Sequence, residues 1–391
     1  MANSLRDIAT LIERDEVRPA LMKEVGEFIN KFPWAEFSTC PEDKLSRCPP
    51  EIMEQILQYL PPRDLKSAVL VNKTLCGVGG KPKFWGDVKV SLQSLESGMS
   101  FMESSREISC LEASNLSSDE SVELLAAMSD VSTFKEVSLH GCHVEQIQPK
   151  VLSKVLSNLV KVDFENSSLT EQQLATLFSS MASGCKISSL SLKEINLSTV
   201  APEMMWSTSK LLEVNLSETL MTNEQTRVFW EGFEDGSNFA SLEVGGMNLE
   251  HVNISALAKV ASQVYKLGLD NTSITPEQAV EVMSALEGNE RVVEVDMSDT
   301  SLSAVEPRLM AKAFARSKKV KIANTGLTAD QISQILEVQT EEKNLEELDL
   351  SANQLQMING EMMADSFNTM KSVTLLYSGI TMNQVEQKEN N

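Results

Sequence analysis

The chain has 391 residues, 42% of them hydrophobic and 23% charged, with 17 Gly and 12 Pro. Such a chain buries sizeable cores, and collagen, disorder and a coiled rod are excluded. Against 34 Lys and Arg stand 56 Asp and Glu, a net charge of −22; that field repels phosphate backbones and anionic lipid and attracts basic proteins.

Residues 1–44 carry charges at Arg6, Asp7, Glu13, Arg14, Asp15 and Glu16 and lack the apolar run of a secretory signal. Leu5, Ile8 and Ile12, then Leu21, Val25, Phe28 and Ile29, fall at helical spacing, which predicts a helical segment of unassigned role. No window approaches the roughly 18 apolar residues of a membrane span. The six cysteines (Cys40, Cys48, Cys76, Cys110, Cys142, Cys185) are scattered, with no C-x-x-C pair. They read as thiols of a reducing compartment, so a cytoplasmic or nuclear location is expected.

Residues 45–86 predict three short helices. Ile52, Ile56, Leu57 and Leu60 share a helical face that stops at Pro61-Pro62. A second helix starts near Arg63-Asp64 with Leu65, Ala68 and Val69, and a third passes Leu75 before Gly77, Gly79 and Gly80. Forty residues hold little core of their own, so docking on the next domain through Phe84, Trp85, Val88 and Val90 is expected. Gly77-Val78-Gly79-Gly80-Lys81 lacks the G-x-x-x-x-G-K-[ST] spacing of a phosphate loop and reads as a connector.

The segment resembles an F-box in Pro50-Glu51-Ile52, Ile56-Leu57…Leu60-Pro61, Arg63-Asp64-Leu65, Val71-Asn72-Lys73 and Phe84-Trp85. The resemblance implies that Pro50, Ile52, Leu57, Leu60, Leu65 and Val71 face a Skp-family adaptor, which links an F-box to a cullin–RING ubiquitin ligase. Cys48 and Leu75 depart from the family's preferred Leu and aromatic but stay apolar. Six basic and three acidic residues give 45–86 a local charge of +3, leaving −25 elsewhere.

After a connector and irregular first repeat at 87–105, residues 106–383 repeat L-x-x-L-x-L-x-x-(N/C/T)-x-L. One complete copy is Leu345, Leu348, Leu350, Asn353, Leu355. Its second apolar position recurs at Ser109, Val137, Val162, Leu190, Val214, Leu242, Leu267, Val295, Val320, Leu348 and Val373. Units of about 28 and 25 residues alternate. Long units carry Ser117 and Glu120, Thr170 and Gln173, Thr222 and Gln225, Thr275 and Gln278, or Thr328 and Gln331, the pattern of a helix capping box. Short units place Pro149, Pro202, Pro307 or Gly360 near a shorter helix. Ser317 replaces an apolar residue, and Ile195 and Met247 take the usual polar turn position.

Each unit is therefore a strand, a turn and a returning helix, and neighbours must stack to cover their apolar sides. Strands about 4.8 Å apart beside helices about 10 Å wide make the stack curve with its strands inside. The alternation resembles the ribonuclease-inhibitor type of leucine-rich repeat. The expected fold is an α/β solenoid, a leucine-rich-repeat horseshoe preceded by an F-box-like module and ending in a polar tail at 384–391.

Outward strand positions on the concave face carry Glu136, Asp163, Glu165, Glu213, Glu243, Asp270, Glu294, Asp296, Glu347 and Asp349. The bases there are Lys161, Lys193, Lys266, Lys319 and Lys321, so a basic protein target is expected on this face. Arg316-Ser317-Lys318-Lys319-Val320-Lys321 reads as a solvated strand edge rather than an import signal. His140 and His143 flank Cys142, but Cys142 takes an inward turn position and reads as a structural thiol. No catalytic motif, metal-spaced Cys/His cluster or cofactor signature appears. The resemblance implies a non-catalytic substrate receptor of a Skp/cullin/F-box ubiquitin ligase. A leucine-rich-repeat scaffold or stoichiometric protein inhibitor is the alternative. A GTPase activator would need an arginine in a recognisable setting, and none has one.

Overall fold

Alternation of apolar and polar residues opens each repeat on a short strand, one face of which is buried. The computed structural model describes residues 109–233 and 239–380, the backbone of Lys89–Leu92, and Glu54 and Leu57 within a helix. The chain divides into two units, Met1–Val88 and Lys89–Asn391. In the second, strands pair in parallel and in chain order in one 12-stranded sheet. They are β1 Lys89–Leu92, β2 Cys110–Ser114, β3 Glu136–His140, β4 Lys161–Asp163, β5 Ser189–Ser191, β6 Glu213–Asn215, β7 Ser241–Glu243, β8 Lys266–Gly268, β9 Glu294–Asp296, β10 Lys319–Lys321, β11 Glu347–Asp349 and β12 Ser372–Thr374. The returning helices are α1 Ser118–Ser129, α2 Pro149–Leu156, α3 Glu171–Ala182, a 3-10 helix Pro202–Lys210, α4 Asn223–Glu231, α5 Ile254–Ala261, α6 Pro276–Gly288, α7 Pro307–Phe314, α8 Ala329–Glu342 and α9 Gly360–Phe367. Between sheet and helices one continuous apolar core runs from Leu111 to Met363. This is the α/β solenoid expected from the repeat.

The strand register corrects the first repeat. Leu111, not Ser109, pairs with Val137, and Ala113 pairs with Leu139. Leu111 and Ala113 are buried, so the unit has a full apolar pair, and the step to β3 is shorter than a 28-residue period requires. Lys89–Leu92 extends the sheet beyond it, pairing with Cys110–Ala113.

All five long-unit helices carry the capping box on the residues that the sequence indicated. The glutamines do more than cap. The Gln173 side chain accepts from the Thr170 N–H at 2.9 Å while its Nε2 donates to the carbonyls of Val144 and Ile147 in the preceding short unit. Gln225, Gln278 and Gln331 repeat this clamp onto Leu197 and Val200, Leu249 and Val252, and Leu302 and Val305. Glu120 closes its box but has no amide with which to donate back.

Every unit from β2 onward also turns off its strand through a residue in the left-handed region: Asn115, Gly141, Asn166, Glu194, Glu218, Gly246, Asn271, Asp299, Asn324, Ala352 and Tyr377. The turn aims that residue's N–H at the next unit, as in Asn115 to the His140 carbonyl, Glu218 to that of Gly245 and Ala352 to that of Leu376. At Gly141 the conformation comes with a close approach, because a Cβ would meet Asn115 Oδ1 at 2.8 Å.

Where a polar turn residue is present, its side chain bonds a strand-end carbonyl, as Thr272 does to Leu269 at 2.7 Å. Ile195 and Met247 cannot do this, and there the backbone closes the gap. Leu220 N–H donates to Ile195 and Leu197 N–H to Leu220, and the pattern returns through Ser273 to Met247 and Leu249 to Ser273. Ser317, in place of an apolar residue, is fully buried and its hydroxyl has no partner. Among the described residues no helix is long and apolar enough to cross a membrane.

The clamp is testable within one helix. Gln173→Ala strands two buried carbonyls and an N–H, and should lower the unfolding free energy by about 2–4 kcal/mol in chemical denaturation. The exposed neighbour Gln172→Ala should change it by less than about 0.5 kcal/mol.

Candidate interaction surface on the open sheet face

The pleat sends the second residue of each three-residue strand into the core and the first and third to the open face. All ten acids expected there lie at such positions or two residues beyond, and each is exposed or half-buried. The observed register places Glu112 opposite Ser138 on the same face, half-buried. Among the six expected adaptor-facing residues, the structure describes Leu57 alone. It is helical and 2% exposed. Pro50, Ile52, Leu60, Leu65 and Val71 lie outside the described residues, as do Phe84, Trp85 and Val88.

Stacking in register puts open-face charges in columns, and lysines fill gaps between acids. Lys193 meets Glu165 at 2.7 Å, and Lys266 bridges Glu243 at 2.8 Å and Glu294 at 3.4 Å. Lys321 meets Asp296 at 3.1 Å and Lys319 meets Glu347 at 2.9 Å. Each such pair is worth little in stability, but together they cancel half of the expected acids. Glu136, Glu213, Asp270 and Asp349 have no cation in ion-pair reach among the described residues.

Asp270 is the most constrained of these. Its carboxylate lies over Gly245, where a Cβ would come within 2.5 Å of Oδ2, so only glycine leaves room for it. Burial first, then the charges of Asp296, Glu218 and Glu243, hold its carboxyl above the usual range. Gly245, Gly246 and Gly268 leave the surface around it without side chains. The result is a negative, glycine-floored centre spanning β6 to β9. Beside it, at the strand-entry edge, Leu212 and Tyr265 are exposed.

Cys142 takes its expected buried place, 1% exposed, and burial pushes its thiol up, away from nucleophile chemistry. Lys319–Lys321 is a strand, as read from the basic stretch. His140 instead lies on the open face beside Asp163 and Glu165, the described His/Asp/Glu group whose ligand atoms lie close enough to hold a metal ion. Sequence spacing alone did not reveal it, because the three residues come from two units.

The raised carboxyl at Asp270 fixes a sign. A carboxyl that ionises later in the folded chain than in the unfolded one supports folding fully below its ordinary value of 3.8. That support is lost as pH rises through the folded value. Asp270→Asn should therefore raise the thermal midpoint at pH 7, and the gain should vanish below pH 3.8.

Residues 45–90 match the F-box-like family model. The chain is 23% identical over 237 residues to the ribonuclease inhibitor of Mus musculus, an alignment taking in 58% of this chain and 47% of that protein. It thus spans about half the length of the curated relative it matches. It is also similar to the crystal structure of the leucine-rich repeat-containing protein LegL7 from Legionella pneumophila. That likeness has 11% identity and a TM-score of 0.34, and covers 78% of this chain and 90% of that one. The chain joins an F-box-like segment to a leucine-rich-repeat solenoid similar to ribonuclease inhibitor.

Proposed function

We propose that the chain is the substrate-recognition subunit of a Skp/cullin/F-box ubiquitin ligase, working in the cytoplasm or nucleus. The F-box-like segment recruits the adaptor, and the open face of the solenoid holds a protein target. The subunit supplies proximity and orientation to ubiquitin transfer and performs no bond chemistry of its own. The observation that carries this reading is the order of parts: an F-box-like match at 45–90 directly ahead of a sheet whose open face is polar and bears uncompensated acids. That charge favours a basic target and repels nucleic acid and anionic lipid.

A second reading has one observation of its own. Likeness to ribonuclease inhibitor over the repeats favours a stoichiometric protein inhibitor or scaffold, in which the helical segment serves the solenoid only.

Co-purification separates the two. Full-length chain expressed with the adaptor and cullin should co-purify with both, and Ile52→Asp with Leu65→Asp should cut recovery more than tenfold while the solenoid's far-ultraviolet dichroism stays unchanged. Intact chain that recovers neither protein would remove the ligase reading and leave the inhibitor.

A further inference from the structure

We propose that His140, Asp163 and Glu165 form a binding site for a divalent ion of the zinc class on the open face between β3 and β4. The register sets it up, since Ser138 stands opposite Asp163, with His140 and Glu165 two residues further along their chains. Asp163 and Glu165 also count among the open-face acids, but binding an ion is a role of its own and does not depend on the ligase reading.

Ser138 fixes one side of the imidazole. Its Oγ lies 2.7 Å from His140 Nε2 and 3.1 Å from Asp163 Oδ2, so a serine that donates to Asp163 accepts from the Nε2–H and leaves Nδ1 as the free ligand nitrogen. His140 Nδ1 lies 3.4 Å from Glu165 Oε2.

A zinc-class ion suits these ligands. One imidazole and two carboxylates are zinc donors, whereas magnesium and calcium prefer oxygen alone. Bonds of about 2.0–2.1 Å at tetrahedral angles separate ligand atoms by roughly 3.3 Å, close to the 3.4 Å between His140 Nδ1 and Glu165 Oε2. One ligand atom from each of the three residues lies within 4.8 Å of the others, which keeps Asp163 in reach as the third ligand.

The carboxylates are already aimed. Glu165 Oε1 is held by Lys193 Nζ at 2.7 Å, which leaves Oε2 to the imidazole. Asp163 Oδ1 accepts the Glu165 N–H at 3.0 Å, which leaves Oδ2. Outer partners of this kind orient metal ligands. Three protein ligands leave a fourth position open toward the inner face for water or a partner's side chain.

Calorimetric titration of zinc chloride into the full chain at pH 7.5, with cobalt(II) visible spectra in parallel, tests the site. The wild-type chain should bind one more zinc ion than His140→Ala and show a tetrahedral cobalt spectrum that this variant lacks. Asp163→Asn should weaken binding at least tenfold. His143→Ala, which removes an exposed imidazole 3.8 Å from Glu145, should bind as wild type does. Circular dichroism establishes that each variant is folded. Silence in the zinc titration, or equal stoichiometry in wild type and His140→Ala, overturns the proposal.

Discussion

No repeat of this solenoid closes its own hydrogen bonds. The N–H of each left-handed turn residue from Asn115 to Ala352 donates to a carbonyl one unit on, and each long-unit glutamine reaches one unit back to two buried carbonyls. A buried polar backbone group left unpaired is costly, so register and spacing are enforced at every junction. The apolar core alone would tolerate sliding; the polar ladders do not. Long and short units are consequently not interchangeable, because glutamine of the long unit always clamps the short unit before it.

The same enforced register shapes the open face. Strands roughly 4.8 Å apart bring same-column side chains into contact, so like charges in one column are kept apart by lysine, glycine or serine, as Ser138 stands between Glu112 and Asp163. Lys266 between Glu243 and Glu294 is the first solution, and Asp270 folded over Gly245 is the second. Between β3 and β4 neither applies fully: Lys193 satisfies one oxygen of Glu165, and His140 faces the rest. Surface chemistry here follows from stacking geometry, and a receptor face built this way presents charges on a stiff backbone.

Much of this was legible in the residues. Thr and Gln three apart announced the capping boxes, and the alternation of apolar strand residues announced the core. The ten open-face acids fell where strand alternation put them. What stayed hidden depends on the backbone or on pairs of units. The left-handed column is filled by Asn, Gly, Glu, Asp, Ala and Tyr, which share no side-chain signature because the bond that needs the turn belongs to the N–H. The first repeat was set two residues early because Ala113 is a weak apolar marker and a 28-residue step fitted Ser109. The second role of the glutamines, the lysine pairing and the His140 group need the register of two strands at once.

The central claim is that a short unit and the long unit after it form the smallest self-consistent module. Equilibrium unfolding of two deletions tests it most directly. Excising Lys266–Lys318 removes one long and one short unit and lets Gln331 clamp Leu249 and Val252. Excising Lys266–Val293 removes the long unit alone and leaves two short units adjacent with no glutamine between them. The first variant should unfold cooperatively with stability close to that of the intact chain, and the second should be clearly weaker despite being longer. Equal stability of the two, or loss of folding in the first alone, would contradict it.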